Sequence, residues 1–219
     1  MIRTDGSGKP LPLPQSSNSQ WPSSFTPDGK RLAYVERSAT SNDLWTVPLA
    51  SDGAGLHAGK PELFLQAPAN ERAFFPPDGR WLAYSSNESG TTQIYVRAFP
   101  DKGVKWQISN SGGMYPMWSR NGREFFFETL DDRIMVAAYT LKGDSFVAGK
   151  PRLWCEKRLG GAINHRKNVD LAPDGKRFAA LMPVEGPHAQ QKRSHVVFLE
   201  NFSDEVRRSS RSANNCNRA

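Results

Sequence analysis

The stretch ERAFFPPDGRWLAYSSNESGTTQIYVRAFP, Glu71–Pro100, decides the fold. Ala73–Pro76 is a short apolar strand. Pro77-Asp78-Gly79 is a turn: Pro presets φ at the first corner, Asp accepts from backbone amides ahead, and Gly supplies positive φ. Trp81–Ser85 is a bulky return strand of the kind a pleated, half-buried surface favours. A second turn at Asn87-Glu88-Ser89-Gly90 leads into Gln93–Phe99, where Ile94, Val96 and Ala98 recur with the period of two that marks a strand. The segment reads as an antiparallel meander.

The same phrase occurs four times. Phe25-Thr26-Pro27-Asp28-Gly29-Lys30-Arg31-Leu32-Ala33-Tyr34 precedes it, and Leu171-Ala172-Pro173-Asp174-Gly175-Lys176-Arg177-Phe178-Ala179-Ala180 follows. Between them lies a weaker copy, Trp118-Ser119-Arg120-Asn121-Gly122-Arg123-Glu124-Phe125-Phe126-Phe127. Counted at Asp28, Asp78, Asn121 and Asp174, successive copies stand 50, 43 and 53 residues apart. A period of roughly 40–50 residues with about four strands per unit is that of propeller blades. The expected fold is all-β: a β-propeller of four-stranded antiparallel blades, with about four present, as part of a six- or seven-bladed ring.

At these residues the chain resembles the TolB-like (WD-repeat-like) β-propeller repeats: an aromatic, a small residue, Pro-Asp-Gly, a base, then an apolar strand ending in Ala-Tyr. Trp81–Pro100 with Trp118-Ser119 is most similar to the propellers attached to bacterial serine/threonine protein kinases. The resemblance covers residues 1–202 and implies a fold more than a function, because propellers host many functions. It also implies a periplasmic or extracytoplasmic setting.

In chain order, residues 1–14 read as the outer strand of a preceding or closing blade. Blade one is 15–66, blade two 67–109, blade three 110–160 and blade four 161–205, and 206–219 is a disordered basic tail. A hairpin turn near Asp5-Gly6 recurs at Asp52-Gly53, Asp101 to Gly103 and Gly143-Asp144, each time joining a third strand to a fourth. No fourth strand is evident in blade four, so an outer strand is surplus at one end and lacking at the other. Pairing of the two, or self-association through open blade edges, follows as an expectation.

Composition bounds the chemistry. Of the net charge of +7, four units belong to Arg207, Arg208, Arg211 and Arg218 in an acid-free tail. A basic surface for nucleic acid is therefore not indicated. No run reaches the ~18–20 apolar residues of a membrane span, and Met1-Ile2-Arg3-Thr4-Asp5 has no apolar region behind it, so no signal peptide is read. The two cysteines, Cys155 and Cys216, make no disulfide framework.

Catalytic signatures are missing. Gly143-Asp144-Ser145-Phe146-Val147 lacks the last glycine of a nucleophile elbow. His165-Arg166-Lys167-Asn168 lacks the aspartate of a kinase catalytic loop. His57, His165, His188 and His195 show no metal-ligand spacing, and Asp28, Asp78 and Asp174 read as turn caps in preference to calcium ligands. No cofactor or metal is expected.

Binding is the better reading. Crossovers into each blade share one end with the loops between second and third strands. There Trp21, Arg72, Tyr115 and His165 would rim a funnel, with aromatic and Arg side chains as anchors for a protein or small ligand. The expectation is a non-enzymatic binding scaffold, the sensor or interaction part of a kinase-linked propeller protein. Two alternatives stay open: the substrate-gating propeller of a prolyl-oligopeptidase-like hydrolase, and a decayed gene product.

Overall fold

The computed structural model describes residues 16–52, 55–66, 70–101, 103–143, 145–156, 158–159 and 169–180. Every regular element among them is a strand, and the sheets are antiparallel throughout. The expected 1–14 strand, the outer strands of blade four and the 206–219 tail lie outside the described residues.

The four repeated turns share one hydrogen-bond pattern. Gly29, Gly79, Gly122 and Gly175 donate their N–H to the carbonyls of Thr26, Pro76, Ser119 and Ala172. Their φ angles are 69°, 68°, 66° and 67°, the left-handed region where a Cβ is costly. The side chain one residue earlier accepts from the amide two residues on: Asp28 from Lys30 at 3.0 Å, Asp78 from Arg80 at 3.1 Å, Asn121 from Arg123 at 2.9 Å and Asp174 from Lys176 at 2.9 Å. Asn121 replaces aspartate without loss because the bond needs only the side-chain carbonyl oxygen.

Each turn joins the first two strands of a blade. Blade one holds β1 (Ser19–Phe25), β2 (Arg31–Arg37), β3 (Asn42–Asp52), β4 (Gly55–Ala58) and β5 (Glu62–Leu65). Blade two holds β6 (Asn70–Phe74), β7 (Trp81–Ser86), β8 (Gln93–Ala98) and β9 (Lys105–Gln107). Blade three holds β10 (Met114–Trp118), β11 (Glu124–Glu128), β12 (Ile134–Lys142), β13 (Ser145–Ala148) and β14 (Arg152–Cys155). Of blade four, β15 (Val169–Leu171) and β16 (Phe178–Ala180) are described. The first strands β1, β6 and β10 touch from blade to blade, which makes them the inner strands.

Blades one and three depart from the expected single fourth strand. β3 and β12 are long, and their far halves pair with β4 and β13 as a flared hairpin. The chain then steps back and pairs β5 and β14 with the near halves. The step is a glycine whose N–H returns to the third strand, Gly59 to the Pro48 carbonyl and Gly149 to the Ala138 carbonyl, both at 2.8 Å. Pro61 and Pro151 follow, and proline cannot donate to a continuing ladder. A Cβ on Gly59 would stand 2.9 Å from Pro48 Cγ, so no side chain fits.

Stacking buries both faces of a blade, which explains why β7 is buried at all six positions and does not alternate. Leu82 and Tyr84 face blade one, packing with Ala33, Val35 and Leu44. Trp81 and Ala83 face blade three, packing with Phe125, Phe127 and Tyr139. Phe146 on β13 reaches across this second seam, stacked on Tyr139 at 5.3 Å and tilted against Trp81 at 5.5 Å. Trp118 joins it edge-on at 5.9 Å and donates its indole N–H to the Phe74 carbonyl at 2.8 Å. Full burial of one such aromatic is worth about 1.5–3 kcal/mol, and each ring pair about 0.5–1.5 kcal/mol more. The third seam joins Phe126, Ile134 and Val136 to Val169 and Phe178, whose ring meets Phe126 at 5.2 Å and Trp154 at 4.7 Å.

Candidate functional site

The two ends of the blades differ. At the turn end, the aspartates are committed to their turns: Asp28 also accepts from Thr26 at 2.6 Å, and Asp78 from the Arg80 guanidinium at 3.2 Å. The Thr26 hydroxyl and the Lys30 amide hold the Asp28 carboxyl below the usual range. A groove of about 580 Å³ runs here between blades one and two, with Asp28 and Asp78 on the same end of the fold. Its floor includes Arg31, which is already bound to Glu62 at 2.6 and 3.2 Å, to Thr46 at 2.9 Å, and lies over the Phe99 ring. The groove offers little unspent hydrogen-bonding capacity.

The inner strands β1, β6 and β10 each break register partway along. The irregularity falls between Pro22 and Ser24 in β1, between Glu71 and Ala73 in β6, and between Met114 and Met117 in β10. Such bulges re-aim side chains and cluster beside functional sites. In β6 the extra residue is Arg72, half-buried and with no hydrogen bond or ion pair to another described residue. Trp21, beside the β1 bulge, keeps 43% of its surface exposed.

Tyr115 corrects the expectation of an aromatic anchor. It lies in the β10 bulge with φ 52° and is 1% exposed. The bulge turns the ring inward, so it packs the fold and does not rim a funnel. His165 lies outside the described residues. The structure thus leaves Trp21 and Arg72 at this end, on neighbouring inner strands.

Their surroundings are ordered. Glu36 accepts from Ser16 and Asn18 at 3.0 Å and from Gln20 at 2.7 Å. Burial alone would raise its carboxyl, but the three donors outweigh that and hold it below the usual range. Between blades two and three, the Gln93 side-chain carbonyl accepts from Ser109 at 2.6 Å and from the Gly112 amide at 3.1 Å, while the Ser109 hydroxyl accepts from the Ile94 amide at 2.8 Å. This buried network clamps the crossover.

One acid at this end lay beyond the sequence reading. Glu128 ends β11, is 1% exposed, and among the described residues neither carboxylate oxygen has a hydrogen-bond partner. Burial, with repulsion from Asp132, pushes its carboxyl up to about 7. Glu124 and Glu128 flank three phenylalanines and look in sequence like solvated strand ends. Only strand parity, which puts Glu128 on the face of Phe126, hints otherwise. Among the described residues, no group of three or more His, Cys, Asp or Glu is placed to hold a metal ion, and no helix is long and apolar enough to cross a membrane.

No protein-family model matches the chain, and no curated protein matches it in sequence. Solved structures do. A protein of Bacteroides uniformis provisionally assigned as a 6-phosphogluconolactonase matches 83% of this chain and 56% of its own, at 18% identity and a TM-score of 0.55. A protein of Agrobacterium tumefaciens provisionally assigned as TolB matches 63% of this chain and 52% of its own, at 19% identity and a TM-score of 0.46. TolB of Acinetobacter baumannii matches 81% of this chain and 57% of its own, at 16% identity and a TM-score of 0.35. The chain therefore spans little more than half the length of each. Likeness at such identities speaks for architecture alone, and with the blades described above it makes this chain a β-propeller.

Proposed function

We propose that the chain is a non-catalytic propeller scaffold that binds a protein or a small ligand at the crossover end of its inner strands. The observation that carries this reading is the pair Trp21 and Arg72: an exposed indole beside one bulge and, on the next, a guanidinium with no partner among the described residues. Trp and Arg dominate binding energy where they occur at interfaces. In the parent protein this end serves as the sensor or interaction surface of a bacterial kinase-linked propeller, a reading that rests on the resemblance of the repeats.

The test is a displayed random-peptide library panned on the wild-type chain and on Trp21→Ala/Arg72→Ala. Peptides enriched on the wild type should lose at least tenfold in binding to the double variant. Peptides that bind both alike would move the site elsewhere. In parallel, the purified chain should turn over neither ATP, peptides, esters nor 6-phosphogluconolactone, since no nucleophile–base pair is evident. Turnover that tracks the protein and dies with one point substitution overturns the non-catalytic reading.

A further inference from the structure

Glu128 has no counterpart in the other blades. Aligning the turns places it opposite Val35 in blade one and Ser85 in blade two. It sits at the crossover end of β11, paired with Met114 on β10 and Ile134 on β12. The sheet face is settled by register. Phe126, Ile134 and Val136 all enter the seam toward blade four, and Glu128 lies two residues beyond Phe126 on the same strand. The chain segment ahead of blade four is tied to this place, because Leu159, a member of the seam, donates its N–H to the Asp132 carbonyl at 2.7 Å.

Among the described residues, no charge neutralises it. In the β11–β12 loop, Asp131 accepts from Thr129 and pairs with Arg133 at 3.2 Å and with Arg158 at 3.6 Å. Asp132, held at φ 64°, is the acid that acts on Glu128, and unfavourably. Of the other titratable groups on the packed strands, Tyr115 lies on β10, Glu124 on β11, Tyr139 and Lys142 on β12, Arg152 and Cys155 on β14 and Asp170 on β15, with Arg152 paired to Glu124 at 3.9 Å. None of these donates a hydrogen bond to the Glu128 carboxyl. An ionised carboxylate without donor or counter-ion is expensive to keep out of water, so the folded seam holds the group neutral.

We propose that Glu128 is a protonated carboxyl in the folded chain, and that its ionisation loosens the seam between blades three and four, so that the docking of blade four responds to pH. The direction follows from linkage. The folded state holds the proton up to about 7, whereas an opened, solvated Glu128 releases it near the ordinary value of 4.5. The seam is therefore tightest below 4.5, weakens as pH rises from there, and reaches its full loss above about 7. Between those limits the opening equilibrium rises about tenfold per pH unit, because the open state sheds one proton.

The test compares the full chain with Glu128→Gln by amide hydrogen exchange, corrected for intrinsic pH effects, at pH 5, 6, 7 and 8. Wild-type amides of β15, β16 and Leu159 should exchange from an opening constant that grows about 40-fold from pH 5 to 7 and levels toward pH 8. In Glu128→Gln, which also buries an unpartnered polar group but cannot ionise, that rise should vanish, whereas amides of blade one should behave alike in both. A Glu128→Gln chain with the wild-type rise, or a wild type with none, overturns the proposal. Should the variant not fold, carbon-13 carboxyl titration of the wild type decides it. One glutamate with a midpoint near 7 supports the lock, and all glutamates titrating in the ordinary range refute it.

Discussion

The turn end and the crossover end of the same blades are built on opposite policies. At the turn end, four segments of different wording reach the same φ angle within a few degrees and the same amide-to-side-chain bond. At the crossover end each blade is individual: a Glu36 cluster with three donors in the first, a Gln93–Ser109 clamp behind the second, and a bare Glu128 in the third. Repetition there extends only to the backbone bulge. The fold is specified by what recurs, and whatever distinguishes this protein from other propellers resides where recurrence stops.

The sharpest way to break this comparison is one substitution at each end. Gly79 has φ 68° and its Cβ would stand 3.0 Å from Pro27 Cδ, whereas Gly90, in the β7–β8 loop, has φ 91° with open space around it. Both changes to Val incur the backbone strain of a β-branched residue at positive φ, about 1–3 kcal/mol. Only Gly79→Val adds a clash with a rigid ring, so its melting temperature should fall further than that of Gly90→Val. Equal shifts in thermal unfolding would show that the turn end is not the more tightly built.

A smaller effect sharpens the point about interchangeable chemistry. Asp78→Asn should cost little, because Asn121 makes the same bond at its own turn, whereas Asp78→Ala should cost about 1 kcal/mol for a lost hydrogen bond. Chemical denaturation of the two variants separates them. A charged side chain being indispensable at position 78 would contradict the equivalence.

The smallest effect belongs to the crossover end. Trp21→Ala should move stability by no more than about 0.5 kcal/mol, since an exposed side chain away from core and caps contributes little to folding. A large loss in denaturant titrations would mean that Trp21 serves packing, and the binding proposal would lose half its anchor.

The same division explains what could be read beforehand. Pro-Asp-Gly fixes a turn through φ and one side-chain bond, all local, so Asp28, Asp78 and Asp174 announced themselves, and Asn121 followed by spacing. The split outer strand of blades one and three depends on Gly59 approaching Pro48 and Gly149 approaching Ala138 across the sheet, which is not a local property. Tyr115 was of the right type for an anchor, but a bulge at φ 52° turned it inward, and residue type carries no such angle. Glu128 was hidden for a related reason: a charge after an apolar run looks solvated until a neighbouring blade covers it.

The contact between Gly79 and Pro27 has a counterpart two seams on, where a Cβ on Gly175 would lie 2.5 Å from the Ser119 hydroxyl. Turns of different repeats thus share boundaries, and neither partner can change size alone. A tandem copying event that inserts one whole period restores every such boundary, whereas an insertion within a turn sets a side chain against a ring or hydroxyl and costs stability. Heredity at these turns is therefore quantised by the repeat, while the unequal spacings of 50, 43 and 53 residues show that fractions of a period are absorbed elsewhere, in the outer hairpins and loops.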